Sequence, residues 1–124
     1  MFFSKKIKDN QNWVALKEKN QLDELLESSK ITPVLLFKHS TRCSISTMAL
    51  NRLNQGLNWS LKCNFCYLDL LSFRILSNQI ANISKVEHQS PQAILIHKNN
   101  VLYSESHGAI NANEINELIK NIEQ

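Results

Sequence analysis

With 124 residues, 43% of them hydrophobic and 20% charged, the chain is large enough to bury one core without disulfides or metal, and a single domain over residues 1–124 is expected. Two glycines and two prolines are too few for a loop-rich β-sandwich, so regular α and β elements should dominate. A formal charge of +3 on scattered lysines, with no dense basic run interleaved with aromatics, argues against a nucleic-acid partner.

No stretch nears the roughly 18 apolar residues of a membrane span, and Met1-Phe2-Phe3-Ser4-Lys5-Lys6 lacks the apolar core of a signal peptide. No membrane partner is expected. Three cysteines, an odd number without framework spacing, suit a reducing compartment, which points to the cytoplasm.

In chain order, Trp13 to Leu16 reads as a short edge strand after the polar Asp9-Asn10-Gln11-Asn12. Leu22, Leu25 and Leu26 among Asp23, Glu24 and Glu27 have the spacing of an amphipathic helix over residues 19–29. Pro33-Val34-Leu35-Leu36-Phe37 is apolar on both faces, as a buried central strand would be, and that strand should run to Lys38. Met48, Ala49, Leu50, Leu53 and Leu57 then recur at helical spacing, with Gly56 placed to end the helix before Asn58.

Leu61 to Asp69 is aromatic and apolar with a poor helical period, which predicts a second strand. Leu71, Ile75, Leu76, Ile80 and Ile83 fit a helix over residues 71–83, and strand-helix-strand repetition implies parallel pairing. Ala93–His97 and Val101–Glu105, joined by Lys98-Asn99-Asn100, predict an antiparallel hairpin. Ile115, Leu118, Ile119 and Ile122 form a closing amphipathic helix capped by Asn111 or Asn113.

Cys43 therefore sits where the central strand turns into a helix, within Lys38-His39-Ser40-Thr41-Arg42-Cys43-Ser44-Ile45-Ser46. Free backbone N–H groups and the positive end of the helix dipole stabilise a thiolate there, and Arg42 adds charge of the same sign. Cys43-Ser44-Ile45-Ser46 also reads as a Cys-x-x-Cys redox motif whose second thiol has become a hydroxyl. A serine cannot attack a mixed disulfide, so a thiol captured by Cys43 must be released by a thiol from outside. Set against this, a free cysteine is often only a small buried core residue.

Cys63-Asn64-Phe65-Cys66 matches the same motif. In a strand, however, positions three apart face opposite sides and lie about 10 Å apart by strand rise, beyond disulfide reach. A zinc site would need two further ligands, and no second cysteine pair supplies them, so no metal is expected. His39 and His97 follow strand runs and read as structural, and Asp69 as a strand-end cap.

The order β-α-β-α-β-α-β-β-α, a cysteine at the start of the second helix and a proline before the hairpin resemble the thioredoxin-like arrangement, with a mixed four- or five-stranded sheet flanked by helices. That resemblance implies a cis Ser90-Pro91 bond beside the active cysteine. It would also bring the segment before Pro91 towards Cys43, which makes His88 the candidate to act as its base, although a loop histidine is more often a solvated or hydrogen-bonding residue than a base. More narrowly, Ser40–Ser46, Val86-Glu87-His88-Gln89-Ser90-Pro91-Gln92-Ala93 and His107-Gly108-Ala109-Ile110-Asn111 resemble three signatures of the monothiol bacilliredoxin family, small thioredoxin-fold proteins of the bacillithiol system. Ser44 stands where that family usually has proline, and Arg42 separates Thr41 from Cys43 where many members have them adjacent.

The resemblance implies a thiol-disulfide oxidoreductase with Cys43 as its catalytic thiol. Thr41, Arg42, Ser44, Ser46, His88, Ser90 and Pro91 would meet the substrate. It implies no resident cofactor, bacillithiol as thiol co-substrate, and S-thiolated client proteins as partners. The competing reading is a redox-inactive thioredoxin-like module whose groove near Pro91 binds an extended peptide, with Cys43 incidental.

Overall fold

Period-two alternation in the central strand decides the architecture. The structure, a computed structural model, describes residues 6–7 and 10–123, with side chains from 12 to 122. Its strands are β1 (Lys6–Ile7), β2 (Asn10–Ala15), β3 (Val34–His39), β4 (Asn64–Asp69), β5 (Gln92–His97) and β6 (Asn100–Ser106). Its helices are α1 (Lys19–Ser28), α2 (Ser44–Gly56), α3 (Arg74–Ser84) and α4 (Ala112–Glu123), with a 3-10 turn at His107–Ala109.

The strands form one mixed sheet in the order β1-β2-β4-β3-β5-β6. Five strands make its body, and the two-residue β1 pairs antiparallel with β2 at the edge. β3 runs parallel to β4, as the crossover reading required, and antiparallel to β5, which forms the expected antiparallel hairpin with β6. The strand expected at Trp13 is β2, which begins at Asn10 and lies inside β1 rather than at the sheet edge. β4 starts only at Asn64 because residues 59–62 form a turn.

Every residue of β3 is buried, the mark of a strand covered on both faces. Leu35 and Phe37 join Trp13, Phe65, Leu95, Leu53 and Ile119 on the α2/α4 face. Val34 and Leu36 join Cys66, Leu68, Ile94, Leu22 and Ile80 on the α1/α3 face. Met48, Ile75 and Ile83 were read as helix core positions but are 61%, 75% and 46% exposed; the buried stripes rest on Ala49, Leu50 and Leu53, and on Leu76 and Ile80. Periodicity marked the right helices and drew their apolar stripes too wide.

Gly56 also has a different reason from the one its position suggested. α2 ends without a left-handed cap, since Leu57 is extended at φ −69° and ψ 140°. A Cβ on Gly56 would instead stand 2.7 Å from the Cβ of Ala112, so glycine lets α4 approach α2. Asn116 of α4 adds to this junction, donating to the Gly56 carbonyl at 2.9 Å and accepting the Asn58 N–H at 2.9 Å. Asn111 caps α4 by accepting the Glu114 N–H at 3.1 Å. In the β5–β6 hairpin Lys98 and Asn99 take φ of 54° and 63°, the two positive values of a type I′ turn.

Candidate active site

Cys43 is the N-cap residue of α2, with extended backbone at φ −108° and ψ 122°. Its N–H donates to the Ser40 carbonyl at 3.1 Å, which closes the turn out of β3, and its carbonyl accepts the Thr47 N–H at 3.0 Å. The side chain is half-buried and the thiol is free. The first-turn N–H groups of α2 point the same way as the start of the helix, so the positive end of the helix dipole lies at this sulfur.

Ser46, three residues on, turns inward. It is 0% exposed. Its Oγ accepts the Ser40 N–H at 3.0 Å and lies 2.5 Å from His39 Nδ1. Burial lowers the His39 pKa, while the nearby Asp69 carboxylate raises it; the net effect is downward and the ring is neutral. The Ser46 hydroxyl and His39 Nδ1 share one hydrogen bond, whose direction follows the tautomer of the neutral ring. This corrects the expectation that Ser46 meets the substrate or the Cys43 thiolate: its hydroxyl is committed to holding the Ser40–Cys43 turn against β3. His39 itself is wedged between Phe37 and Tyr67, at centroid distances of 5.8 and 5.4 Å, and is structural as read.

The sheet brings the second expected segment to the same edge. Gln92 pairs with Lys38 across β5 and β3, so Pro91 arrives beside the end of β3 from which the Cys43 turn departs. The Ser90-Pro91 bond is cis. Pro91 is buried and accepts the His107 N–H at 3.0 Å, and Arg52 of α2 donates to the His107 carbonyl at 2.9 Å. The His107-Gly108 turn thereby ties the proline segment to the helix that carries Cys43. The Ser90 Oγ is buried without a hydrogen-bond partner, an unspent polar group next to Pro91. Thr41, Arg42, Ser44 and His88 are exposed around these segments.

His88 does not stand as a free base. Its Nδ1 lies 3.2 Å from Lys38 Nζ and 3.2 Å from Ser77 Oγ. Lys38 was passed over in the sequence, yet it is 0% exposed, and its Nζ also donates to the Ser77 carbonyl at 3.2 Å. Burial brings its pKa from 10.5 down to about 8. A signal was present: Val34, Leu36 and Lys38 share one side of the strand by alternation, and the first two are core.

Asp69 caps its strand end as read, accepting the Leu71 N–H at 3.2 Å and the Ser72 hydroxyl at 3.1 Å. Cys63 and Cys66 both place their sulfurs near the Asn64 carbonyl oxygen, at 3.7 and 3.9 Å, nearer to each other than strand rise implies because Cys63 precedes β4; neither thiol is in a disulfide. Cys63 packs on the α2/α4 core and Cys66 within the α1/α3 core. Among the described residues, no cluster of three or more His, Cys, Asp or Glu could hold a metal ion. None of the described helices is long and apolar enough to cross a membrane.

A thiol at the start of the helix after the central strand, facing a cis-proline segment of the same mixed sheet, defines the thioredoxin-fold class. Solved structures agree. One described as a proposed oxidoreductase with a thioredoxin fold is 28% identical over 90% of this chain and 94% of its own, with a TM-score of 0.74. Thioredoxin NaTrxh from Nicotiana alata matches at 13% identity over 94% and 97% of the two chains, TM-score 0.70. Schistosoma mansoni thioredoxin matches at 16% over 88% and 94%, TM-score 0.67. These last two share the fold alone. Within the class, residues 14–115 match the family model of the monothiol bacilliredoxin BrxC, and the chain belongs to the monothiol bacilliredoxin family.

Proposed function

We propose that this protein is a monothiol thiol-disulfide oxidoreductase that removes bacillithiol, or a similar low-molecular-weight thiol, from protein mixed disulfides through Cys43. The observation that carries this reading is the pairing of a half-buried free thiol at a helix start with a fully buried serine at the resolving position, its hydroxyl bound to His39 and Ser40.

The Cys43 thiolate attacks the low-molecular-weight sulfur of the mixed disulfide. The old S–S bond breaks, the electron pair leaves on the client sulfur, and that thiolate takes a proton from water. Cys43 is left in a disulfide with the small thiol. Cys63 and Cys66 are directed into the two cores, so a second small thiol from solution must reduce the adduct. The positive end of the α2 dipole lies at the attacking sulfur. Thr41, Ser44, His88 and the Ser90-Pro91 backbone form the rim that meets the substrate. The free state of all three cysteines suits the reducing cytoplasm as the site of action.

The test is a cysteine peptide carrying bacillithiol as a mixed disulfide, followed by peptide mass mapping of the protein. A single bacillithiol adduct on Cys43 is expected, stable until free thiol is added and absent from Cys43→Ser. An intramolecular disulfide from Cys43 to Cys63 or Cys66, or no adduct on Cys43, would overturn the proposal.

A further inference from the structure

Lys38 is the most anomalous side chain in the molecule. It is a lysine at 0% exposure, and the ion pairs found among the described residues involve Lys19, Lys30 and Lys120 instead. Burying an ammonium group without a carboxylate is unfavourable, so what its three N–H bonds hold in place is informative. Two of its neighbours are polar: the Ser77 carbonyl of α3 and the ring nitrogen Nδ1 of His88.

An ammonium group only donates. His88 Nδ1 must therefore accept, and Ser77 Oγ, also 3.2 Å from this nitrogen, is free to donate to it as well. A ring whose Nδ1 lone pair is taken carries its proton on Nε2. Burial and the positive charges of Lys38 and Arg74 all push the His88 pKa down, which keeps the ring neutral at pH 7. His88 lies three residues before Pro91 on the segment that the β3–β5 pairing sets beside the Cys43 turn, and its outer edge is exposed.

We propose that Lys38 is a positioning residue of the exchange site: acting through His88, it fixes the imidazole as an Nε2–H donor aimed at the negative charge that builds on the departing client sulfur. This rests on the thiol-exchange reading of Cys43 and assigns the buried cation its part in it. No proton is transferred by the ring. The Nε2–H hydrogen-bonds the thiolate as the S–S bond breaks, and the freed client thiolate is protonated by water.

The inference also excludes a role weighed for His88 from the sequence. A ring already carrying a proton on Nε2, with Nδ1 occupied, cannot accept the Cys43 proton as a general base.

The experiment uses the full chain. Long-range 1H–15N correlation spectra at pH 7.5 read the His88 tautomer directly, and exchange is followed with the bacillithiolated peptide. In the wild type and in Ser77→Ala, His88 should be in the Nε2–H form, because Lys38 still donates. In Lys38→Met the Nε2–H population should fall towards that of an unrestrained ring, with Ser77 alone left to donate to Nδ1, and kcat should fall on the order of tenfold with KM little changed, the size expected for one hydrogen bond to a charged group. His88→Ala should lose a similar factor, and the double variant no more than either single one, since the two act as a unit.

An Nε2–H population in Lys38→Met equal to that of the wild type, an unchanged kcat, or losses that multiply in the double variant would each overturn the proposal. The tautomer reading needs no turnover. Failure of the exchange reaction itself, with Cys43 unmodified, would instead strike the function proposed above.

Discussion

Replacing Lys38 with methionine should stabilise the protein at neutral pH. Methionine keeps the length of the stem and removes the ammonium group from a site that is 0% exposed. The gap between 10.5 and about 8, at about 1.4 kcal/mol per pH unit, amounts to about 3 kcal/mol of destabilisation carried by the charged form. Against this, the variant loses the hydrogen bonds to the buried Ser77 carbonyl and to His88 Nδ1, worth about 1 kcal/mol each. The net expectation is a gain of about 1–2 kcal/mol.

The pH dependence gives the sharper check. Below about pH 8 both folded and unfolded chains carry the charged lysine, and the full penalty is present. Between about 8 and 10.5 the unfolded chain binds more protons at this site, so wild-type stability rises with pH relative to the variant. Tyr103 titrates in both proteins and cancels in the difference. Urea unfolding midpoints in reducing buffer from pH 7 to 10.5 should show the gap between the two proteins narrowing. A less stable Lys38→Met at pH 7, or a gap that stays constant across that range, would refute the reasoning. A residue kept at such a cost is what a site that trades stability for activity would hold.

Ser46→Ala should lower stability by about 1–3 kcal/mol, since it strands His39 Nδ1 and the Ser40 N–H, while peptide mapping should still find the Cys43 adduct. The pair Cys63→Ala and Cys66→Ala should retain exchange activity. Cys66→Ala alone should lower the urea midpoint more than Cys63→Ala, because Cys66 is 1% exposed. Gly56→Ala gains helix propensity of about 1 kcal/mol but forces a Cβ to 2.7 Å from Ala112, and overpacking of about 1–3 kcal/mol should win. Thermal melts of Gly56→Ala with and without Ala112→Gly would show it, the second change restoring the loss.

The sequence by itself determined the order of elements, the central strand, the hairpin with its loop at Lys98-Asn99-Asn100, and the place of Cys43 at a helix start. Each is local: apolar runs, period and turn residues lie within about ten positions of one another, and chain order with crossover handedness does the rest. It also marked the three segments that the sheet draws to one edge. What it could not decide depended on partners distant in the chain. Gly56 answers to Ala112, and Lys38 to Ser77 and His88, 39 and 50 residues away. Met48, Ile75 and Ile83 continue the helical periods yet stand exposed, because period alone does not say how much of a helix face another element covers. A serine or lysine reads as polar wherever it stands; only the folded chain shows whether its hydrogen bonds are spent on water, on a substrate or on the protein itself, and burial then fixes the charge it can carry.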